Sequence, residues 1–216
     1  MAGKISLYPP LRKGEQDEES ITVPGLSLSQ REIERDLKPE VNALDDLFES
    51  VRAILSITPN RWNDLVSNVP AELLRRSSLP GEWSAVECLK HLIDGETHVY
   101  PVRLRAFTAG ENITDYDQDK SSRAWLRQSP KQLAARFSRL RAANLKLLDT
   151  ISSADLSRSS IHSTLGRVTL ADFLHHRAAH DLMHLVQAER AIMQPFIAGS
   201  GSWRPYYADY DIGASK

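Results

Sequence analysis

The sequence predicts an all-α protein, a four-helix bundle with an additional N-terminal helix and an extended N-terminal arm. Three observations carry that reading. Helix-start signals recur along the chain, apolar residues after them repeat at spacings of three and four, and no run of alternating β-branched residues competes with them. With 216 residues, 41% hydrophobic and 25% charged, the chain can form one packed core.

Residues 1–38 form no helical period. Leu7-Tyr-Pro-Pro, the acidic run from Glu15 to Glu19 and Val23-Pro-Gly read as an extended arm or as disorder. The bundle is expected over residues 39–195. Pro39 precedes a helix with Val41, Leu44, Leu47, Phe48, Val51 and Leu55 on one face. Thr58-Pro59 reads as an N-cap followed by proline at the first helical position, so a second helix is expected to start there. Ser84-x-x-Glu87 is a capping box that opens the next helix, in which hydroxyl and carboxylate satisfy orphan backbone N–H groups reciprocally. Pro80-Gly81 lies in a short turn before it, which predicts antiparallel neighbours on either side.

Residues 108–128, with Asp115, Asp117 and Asp119, form a long polar loop of the lid or crossover kind. Ser129-Pro130 then opens a helix carrying Leu133, Phe137, Leu140, Asn144, Leu147 and Ile151. Thr169-x-x-Asp172 opens the last, which is expected to stop at Pro195. Residues 196–216 contain Trp203, Tyr206, Tyr207 and Tyr210, too aromatic for an idle terminus. They are expected to pack on the bundle or on a dimer partner.

Charge excludes some functions. Lysine plus arginine number 27 against 28 acids, which gives no basis for nucleic-acid binding. The single cysteine, Cys88, rules out an intrachain disulfide and reads best as a buried thiol. No apolar run approaches the ~20 residues of a membrane span, and Met1-Ala-Gly-Lys-Ile-Ser lacks the apolar stretch of a secretory signal. A cytoplasmic location with no membrane partner is expected.

Chemistry concentrates in the histidines, of which there are seven. His175, His176, His180 and His184 fall close together on the last helix. At about 100° per residue, His180 and His184 lie about 40° apart on one face, with β-carbons roughly 5–6 Å apart. Two imidazoles so placed can converge on one ion. Phe173, His176, Met183, Gln187 and Ala191 share the stripe, which reads as core-facing. A third ligand must come from another helix, and His91, two turns past the Ser84 box, is the best placed. Glu87 and Asp94 could orient an imidazole by accepting its second N–H. His98 and His176 remain open as further ligands, orienting groups or plain core residues. His162 and His175 read as surface residues. Gly95, costly inside a helix, suggests close approach by something.

Two other metal readings fit less well. His180-Asp-Leu-Met-His184 differs from HExxH by a shorter acid, which reaches a catalytic water poorly. A di-iron bundle needs paired Glu-x-x-His motifs, where this chain has only Asp172-x-x-His175 and Asp181-x-x-His184. Histidines that merely hydrogen-bond within a metal-free bundle are the plainer alternative. Arg103 and Arg105, farther along the helix of His91, are candidates for an anionic substrate, beside the plainer reading of a solvated face.

Trp83-Ser-Ala-Val-Glu-Cys-Leu-Lys-His91-Leu, with Pro80-Gly-Glu-Trp at its start, resembles the second-helix signature of the DinB-like (DinB/YfiT) superfamily of metal-binding four-helix bundles. His180-Asp-Leu-Met-His184-Leu-Val-Gln187 resembles that family's closing H-x-x-x-H-x-x-Q motif, and Leu165-Gly-Arg-Val-Thr-Leu resembles the loop entering it. The resemblance spans about residues 58–194 and singles out His91 over His98 and His176. It implies one divalent metal ion per chain, zinc or nickel, held by His91, His180 and His184 with water in the remaining positions. It also implies a homodimer and a small-molecule substrate. The activity implied is that of a metal-dependent thiol S-transferase, isomerase or hydrolase, with a low-molecular-weight thiol as co-substrate in the first two cases. A non-catalytic, metal-stabilised or metal-sensing bundle is the alternative. The segment before residue 58 and the aromatic tail depart from the minimal family pattern.

Overall fold

A computed structural model describes residues 43–116, 125 and 127–213. The arm expected over residues 1–38, together with Pro39, Val41, the Leu44 side chain, Asp117 and Asp119, lies outside the described part. Six α-helices account for most of the rest: α1 (Ala43–Asn68), α2 (Ala71–Leu74), α3 (Ala85–Asp94), α4 (Tyr100–Ala109), α5 (Pro130–Leu148) and α6 (Leu170–Gly199). A π-helical turn, Gly95–Val99, joins α3 to α4 with no loop between them. An antiparallel hairpin, β1 (Ser159–His162) with β2 (Gly166–Thr169), leads into α6.

Three of the helix starts agree with the sequence signals. Ser84 accepts from the Glu87 backbone N–H while the Glu87 carboxylate accepts from that of Ser84. Ser129 and Gln132 form the same reciprocal pair at α5, with Pro130 just inside the helix. Thr169 and Asp172 do so at α6. Each box satisfies N–H groups that the helix itself cannot.

The fourth signal fails. No helix starts at Thr58-Pro59, and α1 runs through Pro59 as one helix, so the additional helix is continuous with the first helix of the bundle. Proline has no N–H to offer the carbonyl four residues back, here that of Leu55. Arg141 supplies the missing donor, with Nη1 reaching the Leu55 carbonyl oxygen at 2.8 Å. Thr58 does not cap; its hydroxyl donates to Asp181 Oδ2 at 2.6 Å. Similarly, α6 continues past Pro195 to Gly199. Ile197, beyond the proline, is buried and holds that last turn down.

The helix order also differs from the sequence expectation. α1 packs against α5 and α6, and α3 packs against the same two, so α1 and α3 are diagonal to one another. The link between them spans residues 69–84, including α2 with its buried Leu74, and is long enough to cross the bundle end. The Pro80-Gly81 turn, with Gly81 at φ 90°, is only one part of it.

Two apolar clusters fill the interior. One centres on Trp62, Leu89, Phe137 and Leu185, the other on Leu55, Tyr100, Phe107 and Phe173. A buried charged layer lies between them. Arg141 Nη1 and Nη2 donate to Asp181 Oδ2 and Oδ1, each at 2.8 Å, and Nη2 donates to Glu96 Oε1 at 2.8 Å. Arg177 pairs with Glu96 as well. Asn144 Nδ2 reaches both Glu96 Oε2 and the Glu96 carbonyl oxygen at 2.8 Å. Two cations against two anions leave the layer neutral. Burial alone would raise the Asp181 carboxyl, yet Arg141 and Arg177 hold it below its ordinary pKa.

Removing one partner from a buried charge network strands the others. Arg141→Met is therefore expected to lower the unfolding free energy by about 3–5 kcal/mol, read from urea denaturation midpoints. A loss under about 1 kcal/mol, the range of an exposed pair, would show that the layer contributes little.

Candidate metal centre

His91 projects from the second turn of α3, and His180 and His184 project from α6, the helix against which α3 packs. Their ring nitrogens converge. His180 Nε2 lies 3.1 Å from His91 Nε2 and 3.2 Å from His184 Nε2, and one nitrogen from each ring falls within 4.8 Å of the other two. Three nitrogens bound at ~2.0–2.1 Å to a tetrahedral ion would stand about 3.3–3.4 Å apart. The two separations come close to that spacing.

Proton placement also favours an ion. His184 Nδ1 faces Gln187 Oε1 at 2.9 Å; that oxygen only accepts, so Nδ1 carries the proton and Nε2 is a bare lone pair. His180 Nε2 meets two neighbouring nitrogens, and a single proton there can be directed well at only one. Its other nitrogen, Nδ1, is buried without a hydrogen-bond partner. No protonation pattern gives every contact a well-placed donor and acceptor. A cation among the three lone pairs removes the conflict at the Nε2 atoms.

The imidazoles are held in the neutral form that ligates metals. Burial, reinforced by His184, Lys90 and Arg177, pushes His91 down to about 3. Burial likewise drives His180 far below its usual value, with His184, Arg177 and His91 adding repulsion. His184 is lowered by burial too, although its bond to Gln187 works the other way. Trp83, immediately before the Ser84 cap, stacks on His184 at 5.7 Å between ring centres and leans on His91 at 5.0 Å. It walls one side of the cluster, and the part-exposed rings of His91 and His180 leave another side open.

The remaining candidates have other occupations. Glu87 is committed to the Ser84 box. Asp94 pairs with Lys90 one turn back. His98 is exposed and stacks on Tyr116. His176 is also exposed rather than core-facing, but its ring approaches that of His180 at 5.3 Å. Met183, expected in the same core stripe, is 44% exposed. Asp181 belongs to the charged layer and Asp172 to the α6 cap, so neither serves an HExxH-like or di-iron site. Cys88 sits in the apolar cluster, its thiol pushed up to about 12 by burial and then by Glu87.

His162, read as a surface residue, is buried. It lies on β1, where Nδ1 accepts the Thr164 backbone N–H at 3.2 Å and the ring pairs loosely with Asp115. His175 is exposed. Arg177 Nη1 lies 3.4 Å from where a Cβ on Gly95 would stand, so Arg177 is what approaches that glycine.

In the tail, Tyr210 O accepts from Arg190 Nε at 3.0 Å and from Gln194 Nε2 at 2.9 Å. This ties the tail backbone to α6, while the rings of Trp203, Tyr206 and Tyr210 stay exposed. No helix among the described residues is long and apolar enough to cross a membrane.

Comparison with known proteins agrees with this architecture. YfiT from Bacillus subtilis, described as a probable metal-dependent hydrolase with an unusual four-helix bundle topology, superposes with a TM-score of 0.58 at 18% identity. The match covers 79% of this chain and 91% of that one, and at that identity the likeness is one of fold. No curated protein matches the chain in sequence. The model of the DinB superfamily matches residues 54–188, more than half of the chain. The chain belongs to the DinB superfamily.

Proposed function

We propose that the chain is a metal-dependent enzyme, of the hydrolase or thiol S-transferase kind, whose ion is held by His91, His180 and His184. The observation that carries this reading is the convergence of three neutral imidazole nitrogens, two pairs of them 3.1 and 3.2 Å apart. The description of YfiT as a probable metal-dependent hydrolase points the same way. When bound, a divalent ion with three protein ligands and an open position would supply Lewis acidity, lowering the pKa of water or of a thiol there.

The chain's own residues do the rest. Gln187 fixes the His184 tautomer by accepting a hydrogen bond from its Nδ1–H, so the Nε2 lone pair faces the cluster. Trp83 covers one flank and excludes water from it. Zinc and nickel both suit three imidazoles. A cytoplasmic homodimer completes the proposal, and the exposed rings of Trp203, Tyr206 and Tyr210 support a surface for the second copy.

Protein purified without a histidine tag is expected to carry about one divalent metal per chain in elemental analysis, and His180→Ala to lose most of it. Wild-type protein without stoichiometric metal, or unchanged metal content in the variant, would end the three-histidine reading. Because Trp83 touches two of the rings, zinc added to metal-free protein is expected to change tryptophan emission, and Trp83→Phe to remove most of that change. A response carried equally by the other tryptophans would place the ion elsewhere.

Turnover is tested by screening ester and amide hydrolysis, and thiol transfer to electrophiles, with wild type and His91→Ala. A fall of about 10²-fold or more in the variant is expected. Metal that raises thermal stability while no substrate turns over would favour the non-catalytic, metal-stabilised bundle.

A further inference from the structure

Several surface arginines of this chain are paired. Arg52 meets Asp149, Arg61 meets Glu189, Arg158 meets Asp155 and Arg204 meets Asp211. Of the two arginines that the sequence offered to an anionic substrate, Arg105 is exposed. The other, Arg103, donates to the Thr114 carbonyl oxygen at 3.4 Å and shares its groove with the Asp115 carboxylate. Arg136 and Arg139 on α5 are different. They line a groove of about 340 Å3 with Gln128, Gln132 and Ala135, and no acid lines it. Among the described residues neither makes a hydrogen bond or an ion pair.

The local sequence concentrates donors there. At about 100° per residue, Gln132, Arg136 and Arg139 fall within about 60° of one another on the helix. Along its whole length, Pro130–Leu148, α5 contains no aspartate or glutamate. Gln132 closes the capping box, and its Oε1 is taken by the Ser129 backbone N–H at 2.8 Å. Its amide N–H groups therefore remain available to the groove. The boxes at α3 and α6 hold acids at the equivalent position, Glu87 and Asp172. An acid at position 132 would stand four residues before Arg136, the favourable spacing for an ion pair. Glutamine caps the helix equally well and leaves that cation unneutralised.

The two guanidiniums are thus neighbours without a counter-charge. They stand three residues apart, a spacing at which like charges repel. Arg136 is half-buried, so salt screens its charge less than that of a fully exposed group. Arg75 brings a third guanidinium beside them, with Nη2 donating to the Gln128 carbonyl oxygen at 2.5 Å. Ala135 contributes only a methyl, which leaves space over the helix.

We propose that this groove binds a phosphate dianion, free or carried as the monoester of a small molecule, between Arg136 and Arg139 with the Gln132 amide donating to the same group. Two unpaired guanidiniums are matched by two negative charges, which a single carboxylate does not supply. A phosphomonoester carries close to two above its second pKa of about 6, and it presents three acceptor oxygens. The planar forks of guanidinium groups match those oxygens through paired N–H donors. The volume falls at the low end of the ~300–1,000 Å3 typical of small-ligand sites. The site shares no residue with the histidine cluster and does not rest on the metal reading.

The test uses the full-length protein in phosphate-free buffer and isothermal titration calorimetry. The probes are inorganic phosphate, methyl phosphate, glycerol phosphate and dimethyl phosphate. The last keeps the phosphorus centre but carries only one charge. At least one of the dianions is expected to bind with a dissociation constant of about 1 mM or tighter, and about tenfold or more tighter than dimethyl phosphate. That affinity is expected to weaken as the pH falls from about 7.5 to about 5, because the ligand takes up its second proton near 6. Arg136→Gln and Arg139→Gln are each expected to lose about tenfold, and Lys146→Gln, farther along the same helix, to lose little. Tighter binding of inorganic phosphate than of the esters supports the free ion as the ligand, and the reverse order supports a carried phosphate.

Equal affinity for the dianions and the diester, no heat from any probe, or full affinity in both arginine variants overturns the assignment. His180→Ala is expected to bind phosphate as the wild type does. Loss of binding there places the phosphate on an ion at the histidine cluster and equally overturns the assignment. The comparison of dianion with diester is read in the wild-type protein, so it does not depend on any variant folding.

Discussion

Arg141 is the residue on which the architecture turns. Its guanidinium is almost completely buried and spans the bundle, holding Asp181 on α6 through both carboxylate oxygens and Glu96 in the π turn. It also donates to the Leu55 carbonyl that Pro59 leaves unpaired on α1. A buried guanidinium is tolerable only with its charge matched and its donors used. That requirement sets α1, the π turn, α5 and α6 at one level. His180 directly precedes Asp181, so the same layer fixes the height of a candidate ligand.

The histidine cluster poses the same problem of buried polar groups and leaves it unsolved within the chain. The charged layer satisfies its members internally, whereas the three Nε2 atoms meet one another with more lone pairs than protons. Burial keeps all three rings from resolving the conflict by taking up protons. The contrast separates a set of polar groups that completes the core from one whose ring nitrogens are left in conflict with each other.

Much of this was readable along the chain because it is local. The boxes at Ser84, Ser129 and Thr169 involve residues three apart, and the facing of His180 and His184 comes from the helical repeat alone. Thr58-Pro59 misled because its local chemistry is that of a helix start, while its actual partners, Arg141 and Asp181, are far away in sequence. The diagonal placement of α1 and α3 was hidden for a similar reason, since the Pro80-Gly81 turn says nothing of how far residues 69–84 travel. The strands of the 159–169 hairpin are only four residues each, too short to register as an alternating pattern. His162 was misjudged along with them. Arg141 and Arg177 gave no signal, because an arginine within a helix reads as solvated surface until its carboxylate partners are in view.

The π turn at Gly95–Val99 has a geometric consequence for the whole site. A π turn holds one residue more than the α-helical turn it replaces, so it works as a phase shift of about 100° between α3 and α4. His91 lies before it and Arg103 after it. The angular relation between the imidazole and the guanidinium is therefore set by the length of this turn, independently of either residue's identity. A chain shortened by one residue here would keep every side chain named above and still turn α4 by about 100° relative to the face of α3 that carries His91.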